Sequence, residues 1–433
     1  MLKLTVSDLR DSLVSWSGLF LTALLCGFVS GLAIVLISSA ANAGTDEMRQ
    51  LRNAGSAMLA MIWIAALPVA ASTSRLVEKK KESTYSMWRL LGLRGWQVGA
   101  SFAIQLSIIA MCGVFLGAFS FLAVVFPLSS FLNLESISFD FTVAFPVLLL
   151  EAIAFLLGGL RGVVASLRAL PLDTLRNGDV SGRERRVSPF QIAICIAAIL
   201  LISVALSQID RSNADSLVSC LVFVPFLVAI LASQLSSCFS FLSLNAWSVL
   251  ASRRDNALFL IAYNRVRYRV DESKAIHLPV VLAIALLSGL LMVVDTVVSF
   301  LRNEGLNAEG MDIGQLVSFL GAPLLICIVG ASAVVVMSHA ERCSDFRILA
   351  SLGASRAALF GVTLSEAFIY SFNALLIGLL FGVLSGSIAS VVCSSVLVVW
   401  PSLAYAIVVA AFLFLLIAVP MLLSLRHLGG RAN

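Results

Sequence analysis

Ten stretches of about 20 apolar residues constrain the fold of this chain more than any other feature of its sequence. Hydrophobic residues make up 60% of the 433 positions and charged residues only 12%. Because backbone groups in lipid must be satisfied within the segment, each stretch predicts a transmembrane helix, and the chain an all-α integral membrane protein. The stretches are Ser15–Ile37, Gly55–Thr73, Val98–Phe126, Phe141–Leu160, Phe190–Ser207, Leu217–Ser237, Leu278–Leu301, Ile313–Met337, Ala358–Val392 and Leu403–Leu425.

The distribution of Lys and Arg predicts the orientation of these spans. With both termini on the inner side, 25 of the 29 basic residues fall on that side, and only Arg49, Arg52, Arg211 and Arg302 fall on the other. The positive-inside rule therefore predicts cytoplasmic termini. The net charge of +5 is explained by this topology and by attraction to anionic lipid. We expect membrane lipid as a partner and no nucleic acid.

An internal repeat is visible when the chain is compared with itself at an offset of 261 residues. RLLGLRGWQV, at 89–98, aligns with ASLGASRAAL, at 350–359. The offset also places the first four spans over the last four. The aligned pairs are Leu91 with Leu352, Gly92 with Gly353, Gln105 with Glu366, and Gly117 with Gly378.

The repeat predicts three parts: a four-helix repeat at 1–178, two linking transmembrane helices at 179–250, and a second four-helix repeat at 251–433. The repeats begin six spans apart, an even number, so they cross the membrane in the same direction, as in transporters with parallel repeats. The predicted fold is thus ten transmembrane helices, arranged as two parallel four-helix repeats joined by two extra helices.

A charged, partly amphipathic stretch precedes the repeated glycine in each half. Gly353 suits the end of a helix, since glycine tolerates the left-handed conformation, and Ser355 suits the start of the next. The pattern predicts a short cytoplasmic helix, a bend and then a span. An interfacial helix that only anchors the next span is the alternative.

Polar residues within the predicted spans permit two interpretations. Glu151, Asp295 and Glu366 are acids in apolar surroundings, and Gln105 is a neutral polar residue. Such groups cost free energy in lipid, so we expect them to face the interior of the bundle. They could line a polar or proton-coupled site, but interhelical hydrogen bonding is the interpretation that we favour.

Small residues recur at four-residue spacing in the spans that follow each bend. Gly113 and Gly117 lie in the third span, and Gly378 and Gly382 in the ninth. This spacing permits close approach of helices, either between the two halves or within each.

The sequence contains no phosphate-binding GxxxxGK[ST] loop and no recognisable Ser-His-Asp grouping, and its eight cysteines form no metal-ligand pattern. We therefore expect no catalytic residue, no metal site and no nucleotide hydrolysis by this chain itself.

The second repeat contains Leu-Gly-Ala-Ser-Arg at 352–356, then Ser-Glu-Ala at 365–367 and Gly378. This pattern resembles the FtsX-like (MacB-like) permease family of ABC transporters. The first copy departs from the motif, because Leu93 and Arg94 follow its glycine and Gln105 replaces the glutamate. The resemblance implies a ten-span permease in a bacterial cytoplasmic membrane. It also implies a separate ABC ATPase, in two copies per chain, which binds ATP and Mg. The implied ATPase-coupling residues are Arg89, Leu91, Gly92, Arg94, Arg347, Leu352, Gly353, Ser355 and Arg356.

This family commonly carries a large extracytoplasmic domain, but the corresponding connections here are only Ser38–Ala54 and Arg302–Asp312. We therefore expect either that the ligand enters from the lipid or that an accessory outer or signalling protein supplies the missing part. The leading hypothesis is ATP-driven export or mechanotransmission of an amphipathic or lipid-like ligand, such as an antimicrobial peptide or drug. A signalling scaffold that transports nothing and a proton-coupled carrier that uses Glu151, Asp295 and Glu366 are the alternatives.

Overall fold

In the computed structural model, every regular element among the described residues is an α-helix. The structure describes residues 2–41, 46–131, 139–168, 189–208, 214–253, 257–268, 270–305 and 313–429. The helices are α1 (Leu2–Asp11), α2 (Leu13–Ala41), α3 (Asp46–Leu90), α4 (Gly95–Phe131), α5 (Phe141–Arg168), α6 (Pro189–Ser207), α7 (Ala214–Arg253), α8 (Ala257–Tyr268), α9 (Val270–Asn303), α10 (Ile313–Met337), α11 (His339–Ser351), α12 (Arg356–Cys393) and α13 (Trp400–Gly429).

Eight helices of the described chain are long and apolar enough to cross a membrane, which makes this a multi-pass membrane protein. They match the first four and the last four of the predicted spans. The predicted sixth span is a bent pair, Cys220–Ser236 and Cys238–Asn245, and would be a ninth if both pieces form one span. The predicted fifth span is a shorter apolar helix, Gln191–Ser207. The structure thus supports eight or nine spans.

The chain divides into two compact units. The first comprises Met1–Val180 and Gly321–Met337. In this unit α2 packs against α3, α4 and α5, while α5 also contacts α3 and α4, and α1 lies against α4. The end of α10 belongs here as well, because the side chain of Val69 fills the space beside Gly330 and the Lys80 ammonium donates to the Met337 carbonyl.

The second unit comprises Ser181–Leu320 and Ser338–Asn433. Its central pair is α9 and α12; α13 packs on both, and α8 lies against α12. Four packed pairs of the first unit thus have counterparts in the second. They are α2–α4 with α9–α12, α2–α5 with α9–α13, α4–α5 with α12–α13, and α1–α4 with α8–α12. Helix α7 adds contacts to α9 and α12, and α6 packs on α7.

The two units differ in the helix before the repeated glycine. In the second unit a short helix, α11, precedes Gly353, as the sequence predicts, and Ser338 separates it from α10. In the first unit the charged stretch is instead the end of one 45-residue helix, α3. Between Pro68 and Leu90 the sequence contains neither glycine nor proline, which permits a continuous helix. Residues 331–352 also contain neither, so helix-breaking residues do not explain the difference between the units.

Candidate functional site

The second elbow, defined as Leu352–Ser355, joins α11 to α12 through a left-handed glycine. Gly353 has φ +91°. Its N–H donates to the Ala350 carbonyl at 3.0 Å, and the Ala354 N–H donates to the Leu349 carbonyl, also at 3.0 Å. These two bonds form a Schellman motif, which satisfies carbonyls at the end of α11. The predicted helix end at Gly353 is therefore confirmed.

Ser355 starts the membrane helix α12. Its backbone is extended, with φ −68° and ψ 156°, and its hydroxyl accepts a hydrogen bond from the Ala358 N–H at 3.2 Å. A side-chain oxygen in this position replaces one of the hydrogen bonds that the first turn of a helix lacks. The helix start predicted from Ser355 is confirmed.

The first elbow, defined as Leu91–Arg94, has the same backbone geometry. Gly92 has φ +97°, its N–H donates to the Arg89 carbonyl at 3.0 Å, and the Leu93 N–H donates to the Trp88 carbonyl at 3.1 Å. No serine starts α4. Instead the Gln97 side chain accepts from the Arg94 N–H at 2.9 Å, which is one half of a capping box.

Both elbows expose a leucine beside the glycine. Leu91 is 75% exposed and Leu352 is 78% exposed, and no described atom lies within 4 Å of a Cβ built on either glycine. Arg94, Arg347, Ser355 and Arg356 are exposed too, whereas Arg89 is half-buried beside Gly95. Most of the predicted coupling residues thus lie on the surface, as an apolar side chain flanked by basic ones.

The second polar cluster, defined as Arg265, Arg342, Asp345 and Glu366, lies close to the second elbow. Glu366 is 2% exposed and accepts a hydrogen bond from Nη1 of Arg342 at 2.9 Å. Its other oxygen lies 3.1 Å from Nε of Arg265, whose Nη2 donates to Asp345 at 3.0 Å. Two arginines and two carboxylates therefore balance in charge.

Neighbouring side chains fix the two arginines. The guanidinium of Arg265 lies over the Phe346 ring, 4.7 Å from its centre. Nε of Arg342 donates to the Ser338 hydroxyl at 3.2 Å. Glu366 is ten residues into α12, about 15 Å along the helix, so the cluster lies near the elbow end of the span.

The first polar cluster, defined as Asp8, Lys81 and Gln105, occupies the equivalent place in the first unit. The Lys81 ammonium donates to Asp8 at 2.5 Å and to the Gln105 side-chain oxygen at 3.2 Å. The Gln105 amide donates to Asp8 at 2.8 Å and to the Thr5 carbonyl at 3.0 Å. Lys81 also lies over the Trp16 ring, 5.5 Å from its centre.

The two clusters correspond at the offset found in the sequence. Lys81 precedes Gln105 by 24 residues, and Arg342 precedes Glu366 by 24 residues. In each unit a basic side chain before the elbow contacts a polar side chain in the span after it. Sequence reasoning identified Gln105 and Glu366 but not the bases, although the 261-residue offset places Lys81 over Arg342 and would have indicated them.

The other two intramembrane acids lie elsewhere. Glu151 is fully buried in the first unit beside Ser30, and neither of its carboxyl oxygens forms a hydrogen bond of normal geometry with a described residue. Asp295 and Glu366 share the second unit but cannot form one site. Gly378 on α12 lies against Ile284 on α9 and Gly382 lies against Ser288, so the helices run parallel and Asp295 lies on the order of 30 Å from Glu366 along their axes.

The four predicted packing glycines bring helices together within each unit. A Cβ on Gly117 would lie 2.0 Å from the Leu24 carbonyl oxygen, and one on Gly113 would lie 2.6 Å from the Ala23 side chain. A Cβ on Gly378 would lie 2.7 Å from the Ile284 side chain, and one on Gly382 would lie 2.2 Å from the Ser288 hydroxyl. The glycines therefore permit the close pairs α2–α4 and α9–α12.

The fold and these sites define an all-helical, multi-pass membrane protein with a glycine elbow and a buried polar cluster in each unit. Residues 317–429 match the family described as FtsX-like permease C-terminal. This part of the chain is therefore similar to the C-terminal domain of FtsX-like permeases. Comparison with curated proteins gives no match.

Proposed function

We propose that this protein is the transmembrane subunit of an ABC transporter, which couples ATP hydrolysis by a separate ATPase to movement or signalling across the bacterial cytoplasmic membrane. The FtsX-like match at 317–429 supports this class. In this proposal the chain has ten spans, with α6 and α7 as the two linking helices between repeats at 1–178 and 251–433. Both termini are cytoplasmic, so the elbows face the ATPase.

The observation that carries the proposal is the matched pair of elbows. Leu91 and Leu352 are each about three-quarters exposed, directly before a glycine with positive φ. Charged residues flank both leucines, among them Arg94 and Arg356, so hydrocarbon is an unsuitable environment for these surfaces. A protein partner with a small apolar pocket and an acidic rim would fit them. Two such surfaces on one chain support two ATPase copies, each with its own ATP and Mg.

Site-specific crosslinking tests this docking. In a background whose eight native cysteines are replaced by serine or alanine, Leu91→Cys and Leu352→Cys variants would be purified with the co-expressed partner ATPase, and each would be joined to it by a short thiol-to-amine crosslinker. Both variants should give a crosslinked ATPase. Val396→Cys, at the opposite end of α12 and 84% exposed, is the control and should give none. If the yield at both elbows equalled that of the control, the docking surface would be wrong.

A substitution at Gly353 tests whether the second elbow couples ATP hydrolysis to the spans. A β-branched side chain at φ +91° is strained by about 1–2 kcal/mol, so Gly353→Val should change the angle between α11 and α12. We expect normal ATPase binding but reduced stimulation of ATP hydrolysis by ligand. Gly305→Val is the matched control, because Gly305 has φ +79° and open space around its Cα but lies at the far end of α9. Equal stimulation in both variants would contradict the coupling role.

The ligand in this proposal is amphipathic or lipid-like, such as an antimicrobial peptide or drug. The connections that the sequence places on the outer side, at 38–54 and 302–312, are short, so an accessory outer or signalling protein could complete the site. Transport of the ligand distinguishes an exporter from a signalling scaffold. An exporter moves the ligand, and the ligand changes the rate of ATP hydrolysis by the partner ATPase. A scaffold binds the ATPase but moves no ligand.

A second candidate function is a proton-coupled carrier, because Glu151 is fully buried and its carboxyl oxygens form no hydrogen bond of normal geometry with a described residue. Carboxyl groups in this condition are found in proton pathways. Glu366 does not favour this function, since two arginines contact it. In a carrier Glu151→Gln would abolish uptake driven by a pH gradient, and uptake would need no ATPase. An ABC permease would keep ATP-dependent activity in the same variant.

A further inference from the structure

We infer that Arg265 of α8 is a positioning residue that holds α11 against α12 at the second elbow, so that movement of the elbow requires its contacts to break. The inference rests on the proposed function, because it assigns Arg265 to the coupling of the ATPase to the spans. Arg265 lies outside the residues that match the FtsX-like family, which begin at 317.

Arg265 contacts both sides of the elbow. On α11 it donates to Asp345 at 3.0 Å and lies over the Phe346 ring. On α12 its Nε lies 3.1 Å from the Glu366 carboxylate. The side chain is only 13% exposed, so these contacts are largely sheltered from water. Helix α8 itself packs against α12 and α7. A change in the angle between α11 and α12 must therefore separate the guanidinium from at least one partner.

The charge balance of the second polar cluster gives the reason for a second arginine. Glu366 and Arg342 already form a neutral pair, and their side chains are 2% and 3% exposed. Asp345, at 31% exposed, adds another negative charge next to this pair. Arg265 balances that charge and contacts both carboxylates, which a planar guanidinium does better than an ammonium group. Without it, one arginine would face two carboxylates among the four residues that define the cluster.

Helix α1 has the corresponding place in the first unit. It lies against α4 as α8 lies against α12, and its Asp8 contacts Lys81 before the first elbow and Gln105 after it. In both units a short helix ahead of the first span thus supplies one charged side chain that contacts both sides of the elbow. Its charge is negative in the first unit and positive in the second.

The first experiment measures hydrogen exchange in the purified chain without any ATPase. Arg265→Met removes the charge but keeps an apolar chain over Phe346. Arg267→Met is the matched control, because Arg267 lies on the same helix and is exposed. We expect Arg265→Met to speed exchange of the amides at 339–351 by about threefold or more, with no change at 79–90 in the first unit. Arg267→Met should exchange like the wild type.

The second experiment measures ATP hydrolysis in the complex with the partner ATPase. Arg265→Met should lower the ratio of ligand-stimulated to basal ATPase activity by about threefold or more, while the amount of bound ATPase stays the same. Arg265→Lys keeps the charge but reaches one carboxylate at a time, so it should recover part of both effects. Recovery of this kind is not expected if Arg265 only fills space.

Wild-type exchange at 339–351 together with wild-type stimulation in Arg265→Met would overturn the inference. If Arg265→Met does not fold, Arg265→Lys carries the test: faster exchange confined to 339–351 supports the inference, and unchanged exchange overturns it. The exchange experiment needs no ATPase. Failure to find an ATPase partner would therefore refute the proposed function without altering the result on Arg265.

Discussion

The two polar clusters place a base and its polar partner at equivalent positions, but they use different residues to do so. In the first unit a lysine contacts a neutral glutamine, and an aspartate from α1 supplies the balancing charge. In the second unit an arginine contacts a buried glutamate directly, and a second arginine from α8 balances a further aspartate. Each cluster is nearly neutral as a whole, which is the condition for burying charge beside a membrane span. What is shared is therefore the position of the base and its partner, and not the identity of either.

The largest difference between the units should appear when the base is removed. Arg342→Met leaves Glu366 buried with Arg265 as its remaining base, and we expect a loss of about 3 kcal/mol in unfolding free energy. Lys81→Met should cost less, because Asp8 is 15% exposed and can contact water. Thermal unfolding in detergent measures both variants.

Exposed bases on the same helices are the controls for these two substitutions. Arg347→Met in α11 and Lys79→Met in α3 remove the same charge from exposed positions, and neither should lower the unfolding temperature appreciably. If Arg342→Met and Arg347→Met gave the same unfolding temperature, the buried ion pair would contribute nothing to stability.

The packing glycines should give the next largest difference. Gly117→Ala places a methyl group 2.0 Å from a backbone oxygen, which cannot move without shifting α2. Gly378→Ala instead meets the Ile284 side chain at 2.7 Å. We expect a loss of about 3 kcal/mol for Gly117→Ala and about 1–2 kcal/mol for Gly378→Ala, both measured by thermal unfolding. Gly361→Ala, which meets only the end of the Leu258 side chain, should be tolerated. Equal losses at 117 and 378 would mean that α2 and α4 can move apart.

A smaller effect should test whether the first polar cluster needs to be neutral. Gln105→Glu gives the first unit the acid of the second, but it places that acid beside Asp8, whose carboxylate now accepts from the Gln105 amide at 2.8 Å. We expect a loss of about 1 kcal/mol, and recovery when Asp8→Asn is added, because Lys81 then faces one carboxylate. Unfolding temperatures of the two single variants and the double variant form the cycle. Additive losses would show that charge balance does not govern the first cluster.

The smallest effect concerns the start of the fourth helix in each repeat. Asp140 precedes α5, and its side chain accepts a hydrogen bond from the Thr142 N–H at 2.9 Å. The equivalent position in the second repeat, 261 residues later, is Pro401 in the first turn of α13, and a proline side chain cannot accept a hydrogen bond. The hydrogen bonds from the Thr142 backbone and hydroxyl lower the pKa of Asp140 below its ordinary value. Its contribution to stability is therefore present above that ordinary value and is lost as the pH falls through the lowered pKa.

Asp140→Ala should accordingly lower the unfolding temperature slightly at neutral pH, and the difference from the wild type should shrink in acid. Asp140→Asn keeps an oxygen acceptor without a charge, so most of its capping should not depend on pH. A difference between wild type and Asp140→Ala that stays constant down to strongly acidic pH would show that the charge of Asp140 has no role.

Local chemistry explains why the elbows could be predicted. Gly353 and Ser355 act through the backbone within three residues of themselves, so sequence alone was sufficient to predict a helix end and a helix start. The eight helices that match predicted spans follow from hydropathy for a similar reason, since lipid imposes its requirement on each segment separately. The continuous α3 was missed because a charged stretch that follows a span can either continue the helix or begin another.

The sequence by itself determined the helical membrane fold, the positions of eight spans, the 261-residue correspondence and the two glycine elbows. The tertiary structure alone decided which side chains meet. Glu366 was recognised as a buried acid, but its partners come from α8 and from α11, at sequence separations that no helical periodicity specifies. Likewise the spacing of Gly117 marked a close approach, and only the packing showed that α2 is the neighbour. The physical reason is that hydropathy and capping act within one helix, whereas an ion pair or a packing contact depends on how separate helices are placed against each other.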